Sequence, residues 1–321
     1  MKAIVQEGSG SADVLQLREI DKPIVTAGHV LVRVRAASVN ALDWHSVHGG
    51  KMIEAVSKLM RQPDHPVRGV DVAGEVEAVG AGVTRFAPGD EVFGGAPAAF
   101  AEYALAREDG IVLKPRNLSF EQAAAIGVAG RTALQGLRDK AQLRAGQRVL
   151  ISGAGGGVGT FAVQIAKALG IHVTAVTSTR NLDMVRSLGP DEVIDYTQED
   201  FTRRGERYDA VLDIAANRSL SDLRRVLKPN GTLVLVGAAK SGGVAIFTRI
   251  ISAFVRSRLL RQRIIFYVAK TTHDDLIVIK DLIEAGKMCP AIDRTYPLSE
   301  AADAVRYLGS GQARAKVVIT M

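Results

Sequence analysis

The residues best suited to chemistry sit in one short run, Val149-Leu-Ile-Ser-Gly-Ala-Gly-Gly-Gly-Val-Gly, where an apolar stretch meets a glycine cluster and an amphipathic segment follows. Within it Ala154, Gly156 and Gly159 satisfy A-x-G-x-x-G, a dinucleotide-binding pattern with alanine in the first place. Little side chain is tolerable there, because the backbone must turn sharply and approach a pyrophosphate. A helix from about Val158, with Gly157 just before it in the phosphate-facing loop, would then present its N-terminal N–H groups and positive dipole end to that anion. A turn tightened only for helix–strand packing would leave four glycines in five positions, 155 to 159, without a reason.

About 20 residues further on, an acid would grip the adenosine ribose 2′-hydroxyl of an unphosphorylated dinucleotide. Here the second strand ends Ala175-Val-Thr-Ser-Thr-Arg-Asn, with no acid before Asp183. Ser178, Thr179, Arg180 and Asn181 offer hydroxyls, a guanidinium and an amide, which suit a 2′-phosphate and favour NADPH. The plain alternative for Arg180 is a solvated loop cation.

These groups need a scaffold, and the chain has two styles. Its first third alternates with period 2, as in His29–Ala36, where Val30, Val32 and Val34 share one face. Val70–Gly80, Glu91–Phe93 and Phe100–Ala104 extend the pattern into a mostly antiparallel sheet. Ser119 and Gln122 form a capping box that opens an Ala-rich helix running to Ile126. From Arg148 onward, short apolar strands (148–152, 172–177, 192–195, 210–214, 232–237) alternate with helical stretches, which implies a parallel sheet with helices on both faces. The last thirty residues return to strand, helix, strand and are expected to fold back onto the first domain.

Composition narrows the classes. The chain has 321 residues, enough for about two domains. With 41 Lys+Arg against 34 Asp+Glu and 47% hydrophobic residues, a packed core is expected and disorder is not. The single cysteine, Cys289, excludes a disulfide framework. The N-terminus lacks the apolar core of a secretory signal and no run is long enough to span a membrane, so a cytoplasmic setting is expected. Basic residues are scattered and accompany no nucleic-acid-binding motif, so no nucleic-acid partner is expected. One segment, 244–263, carries Arg249, Arg256, Arg258, Arg261 and Arg263 among Ile, Phe, Val and Leu, with no acid. It reads as a lid or packing element, a subunit contact or a membrane-surface helix.

Seven stretches in order carry a family resemblance: Ala37-Ser-Val-Asn-Ala-Leu-Asp, Gly69-Val-Asp-Val-Ala-Gly-Glu-Val, Pro88-Gly-Asp-Glu-Val-Phe-Gly, Phe100-Ala-Glu-Tyr, Gly130-Arg-Thr-Ala-Leu, Gly153 to Gly159, and Ala315-Lys-Val-Val. Over essentially its whole length the chain resembles the medium-chain dehydrogenase/reductase superfamily. The nearest branch is the zinc-free NADPH:quinone oxidoreductases, in the subgroup that includes reticulon-interacting proteins. The resemblance implies an α/β fold: a GroES-like, mostly antiparallel β catalytic domain, residues 1–123 completed by 289–321, and a Rossmann doubly wound parallel sheet over 124–288. Zinc members of the superfamily have Cys where this chain has Asn40 and Gly-His-Glu at 69–71, where it has Gly-Val-Asp. No metal site is expected; His45-x-x-His48 is the only local alternative and lacks further ligands.

The same resemblance implies roles. Asn40 would lie near nicotinamide and substrate, with Asp43 and Trp44 bordering the cleft; Asn40 could equally stabilise a turn, and Trp44 could be core. Thr132 would approach the nicotinamide carboxamide or phosphate region, Tyr196 would flank the adenine or its 2′-phosphate, and Gly237 would shape the nicotinamide end. Arg263–Val268 would be an edge strand through which a homodimer forms. The implied reaction is hydride transfer from NADPH to a quinone or α,β-unsaturated carbonyl. A non-catalytic NADPH-binding regulatory or membrane-associated protein and a zinc-dependent alcohol dehydrogenase are the alternatives.

Overall fold

The computed structural model describes residues 1–48, 65–236 and 261–321, which divide into two compact units, 1–131 with 271–321, and 132–270. The first crossing thus comes later, and the second earlier, than the expected boundaries at 123/124 and 288/289. The physical reason is the packing of two helices. In the first unit the side chain of Ile279, in helix His273–Glu284, lies against Gly130, and that of Leu276 lies against Gly94.

The first unit is built around strand β3. Strand β1 (Lys2–Gln6) pairs with β2 (Leu15–Glu19); β3 (His29–Val39), β4 (Asp71–Val79), β5 (Glu91–Gly95), β6 (Tyr103–Arg107) and β7 (Ile111–Leu113) follow. β1 and β2 form a two-stranded sheet of their own, whereas β3 to β7 with the C-terminal strands Ile292–Pro297 and Lys316–Thr320 make a second sheet in which β3 pairs antiparallel with β4, β6 and Lys316–Thr320. Pairing of β3 with residues 316–320 closes the unit across the whole chain: Val317 meets Val39 and Ile319 meets Ala37. The alternation of β3 holds, with Val30, Val32 and Val34 in the core while Arg33 and Arg35 project outward to Glu75. Leu31, expected beside the arginines, is also buried, because β3 is covered on part of its second face. Helix α1 (Ala41–His48) leaves the end of β3 directly.

The capping box at Ser119 and Gln122 is formed in both directions and starts helix α2 (Phe120–Ala124), two residues earlier than expected. Helix α3 (Gly127–Gln135) follows and runs into a wider π-type turn, Gly136–Lys140.

The second unit has strands β8 (Arg148–Ser152), β9 (His172–Thr177), β10 (Glu192–Asp195), β11 (Tyr208–Asp213), β12 (Leu227–Leu235) and β13 (Arg263–Phe266). Among the described residues their order is β10-β9-β8-β11-β12-β13, with every pairing parallel. That is the doubly wound order of a dinucleotide-binding fold, and its direction reverses at β8. Helix α4 (Gly157–Ala168) follows β8 and buries Phe161, Ala162, Val163 and Ile165. Helices α5 (Leu182–Ser187) and α6 (Leu220–Arg225) complete this unit, and α7 (His273–Glu284) and α8 (Ala301–Ser310) the first. Strands β14 (Ile292–Pro297) and β15 (Lys316–Thr320) are the C-terminal pair already described.

Candidate active site

The glycine loop leaves the carboxyl end of β8, the place where open parallel sheets bind ligands. Gly153 takes φ +89°, which only glycine adopts without strain, and a Cβ there would meet Ala215 N at 3.0 Å. The N–H groups of Gly153 and Ala154 donate to Val176 O at 3.1 and 3.0 Å, tying the turn to β9. Gly159 packs so tightly that a Cβ would lie 2.7 Å from Ala154 Cα and closer still to Gly153 O. Gly156 is different: a Cβ there would meet only Gly153 O, at 3.5 Å, so nothing in the fold requires its lack of side chain. Gly156 is the N-cap of α4 with no side chain bonded to the helix end, and the first turn holds no acid. The leading N–H groups at Gly157, Val158 and Gly159 therefore have no intrahelical acceptor and no capping side chain.

Ser178, Thr179, Arg180 and Asn181 form the turn after β9, with Arg180 exposed and Asn181 buried. The Asn181 side chain leans over Gly155, where a Cβ would meet its Nδ2 at 2.6 Å and Thr177 Oγ1 at 2.7 Å. Asn181 Oδ1 is buried without a hydrogen-bond partner. An orphaned acceptor, open space at Gly156 and an uncapped helix end fit a dinucleotide's polar groups. Tyr196 is 39% exposed at the end of β10, its N–H on Thr177 O at 3.0 Å. Thr132, half buried, gives its carbonyl to the Tyr267 hydroxyl. Gly237 lies outside the described residues, as does most of 244–263.

Sequence reading overlooked Asp195. It closes β10 in register with Thr177 of β9, and its carboxylate accepts from Thr179 Oγ1 at 2.6 Å. The sequence places Asp195 at the end of its strand, and the pairing of β10 with β9 sets it beside the end of the second strand.

Asn40, Asp43 and Trp44 are brought together at the β3–α1 junction of the first unit, in a buried polar network. Asn40, 6% exposed, donates from Nδ2 to Ser38 O at 3.2 Å and Asp71 Oδ2 at 2.9 Å, and its Oδ1 accepts from Lys316 Nζ at 2.7 Å. Every polar atom of its amide is therefore engaged within the protein. Asp71 also accepts from Ser38 Oγ at 2.9 Å and from Val128 N at 2.7 Å. A Cβ at Gly127 would lie 2.7 Å from the Asp71 carboxyl carbon, which is why α3 begins with glycine. Asp43 accepts from Asn40 N at 2.8 Å, and burial pushes its carboxyl up to about 7. Burial pulls Lys316 down, opposed by the charges of Asp71 and Asp43.

Arg131 on α3 is 4% exposed, and its Nη1 has no hydrogen-bond partner. Burial lowers its guanidinium, opposed by Asp71 and Asp275. Ser38, Arg131 and Lys316 were not legible as site residues, because each becomes one only through pairing of distant strands and helices.

Trp44 stacks on His48 with ring centres 4.2 Å apart and meets His45 edge-on at 4.9 Å. Its indole passes close to Gly309 of α8, so part of its role is packing. His48 Nδ1 bonds Trp44 O at 2.9 Å. Among the described residues no three His, Cys, Asp or Glu side chains converge on a metal position. An ammonium ion set against Asn40 and Asp71 does not fit a zinc donor set, which needs three or four converging ligands.

Comparison with known proteins agrees with this architecture. Residues 26–116 match the alcohol dehydrogenase GroES-like domain family and residues 188–319 the zinc-binding dehydrogenase family. The chain is 34% identical over 335 residues to a chloroplastic NADPH-dependent alkenal/one oxidoreductase of Arabidopsis thaliana, covering 99% of this chain and 79% of that protein. It is 33% identical over 361 residues to a mitochondrial NAD(P)H oxidoreductase of Mus musculus, covering 100% and 89%. The solved quinone oxidoreductase of Coxiella burnetii superimposes with a TM-score of 0.87 at 31% identity, covering 100% of this chain and 99% of that one. A doubly wound parallel sheet with the glycine turn at its reversal point, joined in sequence to a GroES-like unit, places this chain in the medium-chain dehydrogenase/reductase superfamily, within its quinone oxidoreductase-like branch.

Proposed function

We propose that the protein is a zinc-independent oxidoreductase that uses NADPH to reduce quinones or α,β-unsaturated carbonyls. The observation that carries this reading is the uncapped start of α4, where Gly156 has room for a Cβ and yet none is present. Gly157, Val158 and Gly159 would hold the pyrophosphate through backbone N–H groups, with Gly156, whose own N–H donates to Gly153 O at 3.1 Å, leaving room for it and Ala154 shaping the turn. Ser178, Arg180 and Asn181 would take the adenosine ribose and its 2′-phosphate, with Tyr196 beside them; Thr132 and Gly237 are assigned to the nicotinamide end. When bound, the nucleotide supplies a hydride from nicotinamide C4.

Asn40, Asp43 and Trp44 are assigned to the acceptor side. Because both protons of the Asn40 amide are engaged, Asn40 acts as a positioning residue that fixes the end of β3 and the start of α1. A quinone or enone delocalises the negative charge it gains, so protonation by solvent suffices and no Lewis acid is required. The relatives named for quinone or alkenal/one substrates support this acceptor class. A homodimer across β13, the last strand of the parallel sheet among the described residues, belongs to the same reading; Phe266 and Val268 there are 41% and 51% exposed. So does a cytoplasmic setting: among the described residues no helix is long and apolar enough to cross a membrane.

The test is steady-state NADPH oxidation by purified protein with naphthoquinone, phenanthrenequinone and a panel of enones. Turnover with at least one of these is expected. Silence with all of them, together with turnover of a simple alcohol plus NADP, overturns the assignment.

A further inference from the structure

The overlooked carboxylate of Asp195 is held by more bonds than a surface acid at a strand end needs. One oxygen takes Thr179 Oγ1 at 2.6 Å; the other takes Thr197 N at 2.9 Å and Thr197 Oγ1 at 2.8 Å. The two threonine hydroxyls lie 2.8 Å apart, so Thr179, Asp195 and Thr197 form a closed triangle across the ends of β9 and β10. These donors hold the Asp195 carboxyl below the ordinary range, so it is ionised at neutral pH. Thr179 belongs to the Ser178–Asn181 turn, next to Arg180. The turn assigned to a 2′-phosphate is thus anchored by a fixed negative charge.

The two consequences oppose each other. Anchoring reduces the freedom that the turn would lose when a nucleotide binds, and that helps NADPH and NADH alike. The charge acts differently, because it repels a phosphate dianion and leaves a 2′-hydroxyl unaffected or favoured. We propose that Asp195 is a specificity-determining residue: it positions the 178–181 turn through Thr179, and its charge holds down the preference for the 2′-phosphorylated nucleotide. This inference rests on the nucleotide-binding reading above. It adds what that reading lacks, the residue that sets how far one nucleotide is favoured over the other.

Asp195→Asn separates the two effects, since the amide oxygen can still accept from Thr197 and its NH2 can donate to the Thr179 hydroxyl, which turns from donor to acceptor, without the charge. The ratio of kcat/KM with NADPH to that with NADH is expected to rise about three- to tenfold at low ionic strength, as two charges a few ångströms apart near a surface would give. The rise should shrink in about 0.5 M salt, because exposed charges are screened over roughly 10 Å or less. Thr179→Val releases the turn and leaves the charge in place, so KM should rise for both nucleotides while the ratio stays level or falls. An unchanged or reduced ratio in Asp195→Asn, or a rise that salt does not diminish, overturns the proposal. Calorimetry of the unsubstituted protein with each nucleotide keeps the readings apart. Heat with neither sinks the nucleotide site itself, whereas heat with either, and no change in ratio, sinks only the role of Asp195.

Discussion

Lys316 Nζ lies 2.7 Å from Asn40 Oδ1 and 3.6 Å from Asp71 Oδ2, so a residue five places from the C-terminus holds the end of β3 from inside the core. Both charges are buried, at 3% and 0% side-chain exposure. Neither could remain ionised there alone, because an unpaired buried ion costs several kcal/mol.

Breaking this pair on one side should therefore be severe. Lys316→Met leaves the buried Asp71 carboxyl without the ammonium beside it, and should lower unfolding free energy by about 3 to 5 kcal/mol. Asp71→Asn combined with Lys316→Met should recover part of the loss, since no charge is then left buried, although the one amide oxygen can accept either from Val128 N or from Ser38 and Asn40 and not from both sides. Urea denaturation of the single and double variants measures this; equal losses in both would mean that the pairing contributes nothing.

Asp43 gives the pH dependence a direction. Its folded-state pKa of about 7 stands above its ordinary value of 3.8, so between those limits the folded chain binds more protons than the unfolded chain. Stability from this group must fall as pH rises from about 4 to 7, and level off above that. Asp71, Lys316 and Arg68 face it, and Lys316, pulled down by burial, works in the opposite sense in the alkaline window below its ordinary 10.5. Asp43→Asn should remove the loss between pH 5 and 7.5, a change of roughly 2 to 4 kcal/mol. Thermal unfolding across that range checks it: parallel pH profiles for the two proteins would show that Asp43 is already ionised.

Gly159 and Gly156 should fail in different ways. Gly159→Ala drives a methyl group into Ala154 and Gly153 and should destabilise the second unit by several kcal/mol. Gly156→Ala has room and an ordinary extended backbone, so the melting temperature should stay within a few degrees while nucleotide affinity falls tenfold or more. Melting curves paired with calorimetry distinguish the two outcomes.

Arg180→Leu tests the 2′-phosphate assignment. Loss of one charge-assisted hydrogen bond is worth about 1.5 to 3 kcal/mol, so KM for NADPH should rise tenfold or more and KM for NADH should scarcely move. Equal effects on both would return Arg180 to the role of a solvated cation.

Dialysis against a strong chelator should leave turnover and melting temperature unchanged, given a donor set in which Lys316 faces Asn40 and Asp71. Metal analysis before dialysis completes the measurement. Stoichiometric zinc whose removal abolishes activity would restore the metal-dependent reading.

What the amino-acid order alone determined follows from short-range physics. Period-2 alternation in β3, the capping box at Ser119 and Gln122, and the strand–glycine–helix run at 149–168 each depend on residues within one or two turns of each other, so they were legible without a fold. The resemblance supplied the family and the assignments at Asn40, Asp43 and Trp44. Only tertiary structure decided that the Asn40 amide is engaged on every atom, that Arg131 is buried with Nη1 unpartnered, and that Asp195 stands behind Thr179. Each of those depends on which elements pack together: β3 with β15 for Asn40, α3 with the Asp71 and Asp275 carboxylates for Arg131, and β9 with β10 for Asp195. A side chain's partners, and with them its charge and its chemistry, are set by that pairing and not by its sequence neighbours.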